Sequence, residues 1–171
     1  MSWARKAAIL VAALALLSAC QVRPLYAPSS QGTGPAGPQA VLAAIAIDPP
    51  RTRSEQTFRN ALSFLLHGGR EPAAPRYDLI YRLTIRSQEI AIERGTGTPN
   101  AYQLSGSVSF LVKDIGTGQE VFGTNVTAVD SYTRSSQNFA NIRARRDAEE
   151  RLTRVLAELA QARLAAYFAT H

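Results

Sequence analysis

The chain has 171 residues, with 19 Lys and Arg against 13 Asp and Glu, a formal net charge of +6, and 46% apolar residues. That balance suits one domain with a packed core, and it excludes a chain disordered throughout, a coiled coil and a multi-span membrane protein. The single Cys excludes an intrachain disulfide and any Cys-cluster zinc site.

Arg5 and Lys6 form a short positive region ahead of Ala7 to Leu17, which are apolar without interruption. Such a run reaches roughly 16 Å as a helix, about half of a hydrocarbon core, so it reads as a secretory signal and not as a spanning helix. It ends on Leu17-Ser18-Ala19-Cys20, which resembles the bacterial lipobox. In that motif the Cys thiol is acylated, the chain is cut just before it, and the new amine is acylated as well. The expectation is a signal peptide over 1–19 and a lipid anchor on Cys20. Several acyl chains at ~0.8 kcal/mol per buried methylene anchor a protein firmly without a spanning segment. Gln21 in place of Asp implies, by analogy with lipoprotein sorting, delivery to the periplasmic face of the outer membrane. The mature chain then keeps 152 residues and a net charge of +4. Export makes nucleic acid a poor partner and leaves anionic lipid and lipopolysaccharide as candidates for its arginines. Composition alone does not separate that use from a base-composition bias of the genome, the simpler cause of the excess of Arg over Lys.

Residues 20–39 are rich in Pro, Gly and Ser and read as a tether with a reach of ~25 Å. The folded domain is expected over 40–171. Val41 to Ile47 reads as a short strand closed by Asp48-Pro49-Pro50. Ser54 is placed to cap a helix whose stripe is Phe58, Ala61, Leu62, Leu65 and Leu66, stopped by Gly68-Gly69. Tyr77, Leu79, Tyr81, Leu83 and Ile85 alternate as a half-buried strand, and the parity change to Ile90 and Ile92 predicts a bulge near Ser87-Gln88. Arg94 to Asn100 is a turn. The next strand alternates Tyr102, Leu104, Gly106, Val108, Phe110 and Val112 with Gln103, Ser105, Ser107 and Ser109. A hairpin loop over 114–118 leads to a last strand, Val121 to Ser131, and Ala140 to Phe168 is one long helix. The expected fold class is α+β: a two-layer sandwich with two helices on one face of a four-stranded, mostly antiparallel sheet.

Catalytic chemistry has little to work with. His67 falls at a predicted helix end, His171 is the last residue, and no G-x-S-x-G, H-E-x-x-H or P-loop occurs. No metal-ligand pattern joins Asp114, Glu120 and Asp130. The chain therefore reads as a non-enzyme with no cofactor beyond the lipid on Cys20.

Three features carry binding chemistry. Arg94 sits in a glycine-rich turn between the two longest strands, where spacing alone reads as a hairpin with a solvated cation. Arg143, Arg145 and Arg146 open the last helix, where the dipole disfavours cations and Asp147, Glu149 and Glu150 lie four residues on. They suit either a solvated face laced with ion pairs or a receptor for an anionic head group. The serine face of the Tyr102–Val112 strand suits a surface packed inside another protein as well as an exposed sheet.

Taken together, these stretches resemble the LptE family of lipopolysaccharide-assembly lipoproteins, in its alphaproteobacterial form. The resemblance rests on Leu17-Ser-Ala-Cys20 followed by Val22-Arg23-Pro24-Leu25-Tyr26, on Arg94-Gly95 leading into Ala101-Tyr102-Gln103-Leu104, and on Phe139-Ala140-Asn141 running into Arg146-Asp147-Ala148-Glu149-Glu150-Arg151. It implies a plug in the outer-membrane β-barrel LptD, as a 1:1 complex that helps assemble the barrel and binds lipopolysaccharide on its way to the cell surface. It also implies basic contacts at Arg94 and near the start of the last helix, where Arg143 is the nearest match and Arg145 and Arg146 are neighbours. The other reading is an envelope lipoprotein that uses the same sheet for another protein or an anionic lipid, independent of any barrel.

Overall fold

The computed structural model describes residues 38–92 and 99–170. The expected signal peptide, Cys20, residues 20–37 of the tether and Arg94 lie outside the described residues. The elements run in the order α1 (Pro38–Leu42), β1 (Ile45–Ile47), α2 (Arg53–His67), β2 (Tyr77–Ile92), β3 (Pro99–Asp114), β4 (Glu120–Thr133) and α3 (Asn138–Phe168). The four strands form one sheet in sequence order, with β1 parallel to β2 and the other pairs antiparallel. Helix α2 is the crossover that a parallel pair requires. The expected α+β class and mostly antiparallel sheet are what the chain adopts.

The strand expected over 41–47 is shorter than its apolar alternation suggests. Only Ile45 to Ile47 pair with β2, while Val41 and Leu42 belong to α1. Pro38 stands at the first helical position, where its fixed φ fits and its missing N–H is not needed. Leu42 is then buried in the core with Phe58 and Leu62, a site that a strand in this register would not fill. The cap of α2 is Thr52 and not Ser54. Its Oγ1 accepts from the Glu55 N–H at 3.2 Å, while the Glu55 carboxylate accepts from the Arg51 N–H at 2.7 Å. Gly68 ends the helix at φ 68°, a left-handed conformation that glycine adopts without strain.

Helices α2 and α3 cover one face of the sheet. Phe58 and Leu62 of α2 are fully buried, and Phe58 packs against Tyr81 with ring centroids 5.1 Å apart. Ala148, Leu152, Leu156, Ala160 and Leu164 of α3 are buried along a helical period, whereas Val155 and Leu159, apolar and close in spacing to that stripe, are 43% and 39% exposed. The helix is rolled so that Ala157 and Thr153 face inward instead. Leu152 and Leu156 come down directly on Gly106, where a side chain would collide with them. At the far end of α3, Tyr167 stacks on Phe122 at 4.5 Å and Phe168 meets Tyr77 at 5.2 Å. Those contacts dock the C-terminal turns beside the β3–β4 hairpin. The opposite sheet face exposes Arg82, Thr84, Arg86, Ser105, Ser109, Asn125 and Thr127, with no helix over it among the described residues.

Candidate functional site: a tyrosine and arginine cleft at the end of the sheet

The ladder between β2 and β3 is regular from Tyr77 through Glu89, and its register shifts lie between Glu89 and Ile92. The bulge expected near Ser87-Gln88 is therefore displaced by about one turn of the pleat. Ser87 lies opposite Leu104 and Glu89 opposite Tyr102, so both keep the parity of the helix-covered face. Their polarity marks where α3 stops covering the sheet, and no slip of the strand is needed to explain it.

An open cleft of about 540 Å³ occupies that place, lined by Ser87, Tyr102, Tyr132, Arg134, Asn138, Asn141, Ile142 and Arg145. Tyr102 and Tyr132 are direct cross-strand partners, half-buried, and stack 5.3 Å apart with their planes 11° from parallel. The Arg134 guanidinium lies 5.7 Å over the Tyr102 ring, and its Nη1 donates to the Tyr102 hydroxyl at 3.2 Å. Behind it, Asn141 is buried and joined to Ser135 through both ends of its amide. Below the tyrosines, Asp130 is held by Arg151, whose Nε and Nη2 reach the two carboxylate oxygens at 2.9 and 3.4 Å. None of the lining residues is acidic. The field in the cleft is set by Arg134 and Arg145.

The arginines anticipated at the start of α3 diverge. Arg145 lines the cleft and pairs with Glu149 at 2.9 Å. Arg146 turns toward α2 beside Arg53 and Thr57, and Glu150, its expected partner, pairs with Arg53 at 2.6 Å. Arg143 is exposed and lies roughly 200° around the helix from Asn141, on the side away from the sheet. The expected ion pair with Asp147 is absent among the described ion pairs. Arg94 lies outside the described residues, between β2 and β3 in the chain. Sequence reasoning missed Tyr102 and Tyr132 as a pair, and Arg134 altogether. The register at the 114–118 loop, where Lys113 faces Glu120, would put Tyr102 opposite Ser131; the shift between Val112 and Lys113 brings Tyr132 opposite instead, and the sequence carries no clear signal for it.

Ile142, which lines the cleft, is 50% exposed, and exposed apolar side chains also stand near the start of α3 (Phe139, 86%) and the end of β2 (Ile90, 54%). Cations and bare hydrocarbon thus occupy one end of the molecule. The helix that opens there has Gln137 as its cap residue with no side-chain cap bond. A second cleft of about 400 Å³ lies beside β2 beyond β1, with Asp48 and Glu55 balancing Arg51 and Arg82. Burial, and after it the Glu55 carboxylate, push the Tyr81 hydroxyl there up to about 12, so it stays neutral and donates to the Glu55 carbonyl at 3.4 Å. That cleft has no net preference for an anion. His67 sits at the end of α2, with its Nδ1 3.5 Å from the Ser63 hydroxyl.

Several solved structures share this fold. A protein of Caulobacter crescentus CB15, provisionally classed as a lipoprotein, is similar at 27% identity and a TM-score of 0.65, covering 79% of this chain and 98% of that one. A minor lipoprotein of Acinetobacter baumannii is 19% identical with a TM-score of 0.54, over 71% of this chain and 88% of that one. The rare lipoprotein B of Shewanella oneidensis is 14% identical with a TM-score of 0.51, over 74% and 92%. No curated protein matches the chain. The fold is one that these bacterial lipoproteins share. The profile described as Lipopolysaccharide-assembly, LptE, matches residues 42–164, and the chain belongs to that family.

Proposed function

We propose that this lipoprotein plugs an LptD-like outer-membrane barrel, helps it assemble, and contacts lipopolysaccharide during transport to the cell surface, without catalysing a reaction. The observation that carries this reading is the coincidence, at one end of the sheet, of Arg134 and Arg145 with exposed Ile142, Phe139 and Ile90. Lipid A is an anionic amphiphile, with phosphates for guanidinium forks and acyl chains for apolar rims. The outer face of the sheet, with no helix over it among the described residues, supports the plug. Along β3 it is uncharged and hydrogen-bonding from Gln103 to Ser109, with the Ser107 hydroxyl donating to Asn125 Oδ1 at 3.0 Å, chemistry suited to the polar lumen of a barrel. Cys20 would carry the lipid that holds the protein at the periplasmic face of the outer membrane, and no other cofactor is required. Arg94 and Arg143 remain candidate contacts from family resemblance.

Membrane solubilisation followed by purification of the tagged full-length protein tests the partnership. A large β-barrel recovered in a 1:1 ratio supports it. Recovery of the lipoprotein alone under conditions that preserve other barrel complexes favours a barrel-independent lipoprotein.

A further inference from the structure

We propose that the edge of β2 beyond β1 receives an extended segment of a partner protein, added to the sheet as a further strand. The segment it fits carries two carboxylates four residues apart, alternating with apolar side chains. This strand site lies apart from the tyrosine and arginine cleft and does not depend on lipopolysaccharide binding.

β2 runs for 16 residues, but β1 pairs only with Tyr77 to Leu79. The Tyr77 N–H donates to the Ala44 carbonyl at 3.2 Å, and the Leu79 carbonyl accepts from the Asp48 N–H at 3.0 Å. Backbone direction alternates along a strand, so Tyr81, Leu83, Ile85 and Ser87 present their N–H and C=O groups on that same side. There β1 has ended, and Asp48 is followed by Pro49 and Pro50, which cannot continue a ladder. Among the described residues no strand lies on that side beyond Leu79. Such an unpaired run is a template for strand addition. An open cleft of about 400 Å³ borders it, lined by Pro49 and Arg51 after β1 and by Arg82, Leu83 and Thr84 of β2.

The side chains of the edge define what the added strand carries. Leu83 and Ile85 face the helix layer, half-buried against the core, and suit apolar neighbours. Arg82 and Arg86 face the other way, exposed, opposite Ser109 and Ser105 of β3. Neither belongs to an ion pair among the described ones. Opposite charges attract across a strand pair, so carboxylates four residues apart match the two arginines. Asp48 and Glu55 line the β1 end of the cleft, where a further carboxylate is repelled. A second copy added through the same edge, in an antiparallel pair centred between the arginines, sets arginine against arginine. Residues 20–37 hold Arg23, no Asp or Glu, and three prolines, so the chain's own tether lacks the charge and the backbone donors. A segment of another protein has both.

Fluorescence polarisation with the full mature chain and labelled peptides tests this site. The probes are Thr-Val-Glu-Val-Thr-Val-Glu-Val-Thr and the same peptide with Lys in place of Glu. The wild type is expected to bind the Glu peptide about tenfold more tightly, and Arg82→Glu combined with Arg86→Glu to reverse the preference. Backbone pairing is read by methylating peptide nitrogens, which leaves the protein untouched. In an added strand one alternate set of nitrogens faces β2 and the other faces away. Methylating the first set should weaken binding about tenfold, and methylating the second by less than about twofold. The site is overturned if the Glu peptide does not bind, which leaves the arginines as guards of a bare edge. It is equally overturned if both peptides bind alike, if the charge reversal leaves the preference unchanged, or if the two methylated sets bind equally. A dimer of the wild-type chain that the Glu peptide dissociates gives the edge to a second copy and overturns the site as well.

Discussion

Asn141 holds Ser135 by both ends of its amide: Oδ1 accepts from the Ser135 N–H and Nδ2 donates to the Ser135 carbonyl, each at 2.8 Å. This clasp turns the chain from β4 into α3 and sets the backbone next to Arg134. Asn141→Ala leaves two groups of Ser135 unpaired, and stability is expected to drop by about 2 kcal/mol. Lipopolysaccharide binding should weaken in the folded variant as well, because Arg134 loses its fixed position. Urea unfolding and a binding titration on the same preparation check both; wild-type values in both would dismiss the clasp as a positioning device.

A Cβ on Gly106 would stand 2.7 Å from Leu156 Cδ1 and 3.1 Å from Leu152 Cδ2. Both leucines are buried, so neither has solvent to move into. Gly106→Val is expected to lower stability by about 1–3 kcal/mol through overpacking. Adding Leu156→Ala should recover part of that loss, because the cavity it leaves faces the new side chain. Thermal unfolding of the double-mutant cycle reads the coupling, and strict additivity would mean that α3 does not rest on this glycine.

Asp114 Oδ1 accepts from the Thr117 N–H at 3.0 Å and from its hydroxyl at 3.3 Å, and Arg76 lies 3.6 Å from the other oxygen. The Thr117 N–H above all, with help from the Gly116 N–H and the Thr117 hydroxyl, holds this carboxyl below its usual range. A lowered carboxyl contributes stability above its unfolded value and loses it as pH falls through the folded one. Asp114→Ala should therefore destabilise the hairpin at neutral pH, and the difference from wild type should shrink below the ordinary carboxylate range. A difference that stays constant into strong acid would assign the effect to something other than charge.

The long elements could be read along the chain because their signals are local. Alternation from Tyr77 to Ile85, the turn over 114–118, and the glycine stop at Gly68 each depend on near neighbours. Failures came where a distant contact decides. Val41 and Leu42 carry an alternation that suits a strand, yet Pro38 and the buried site for Leu42 make a helix of it. The bulge expected near Ser87-Gln88 falls later, between Glu89 and Ile92, because the place where α3 stops covering the sheet does not show in the strand itself. Of the site, Arg145 was within reach of spacing arguments. The tyrosine pair needed the strand register, and Arg134 needed the tyrosine pair.

Charge at the cleft end is open to direct test. Arg145→Glu is expected to weaken lipopolysaccharide binding with folding unchanged, and Arg94→Glu to do the same by family resemblance. Arg143→Glu should act more weakly, since its side of α3 faces away from the sheet. Affinity of the wild-type protein should also fall with added salt, as ionic contacts are screened over about 10 Å at 0.1 M. Equal effects from all three reversals would point to overall charge, with no role for the cleft.

The most direct measurement is surface-exposed lipopolysaccharide in cells depleted of this protein. Surface lipopolysaccharide should fall and accumulate on the inner side of the envelope, with restoration by the wild-type chain but not by Cys20→Ala or by Arg134→Glu combined with Arg145→Glu. Unchanged surface lipopolysaccharide after full depletion would contradict a role in its assembly.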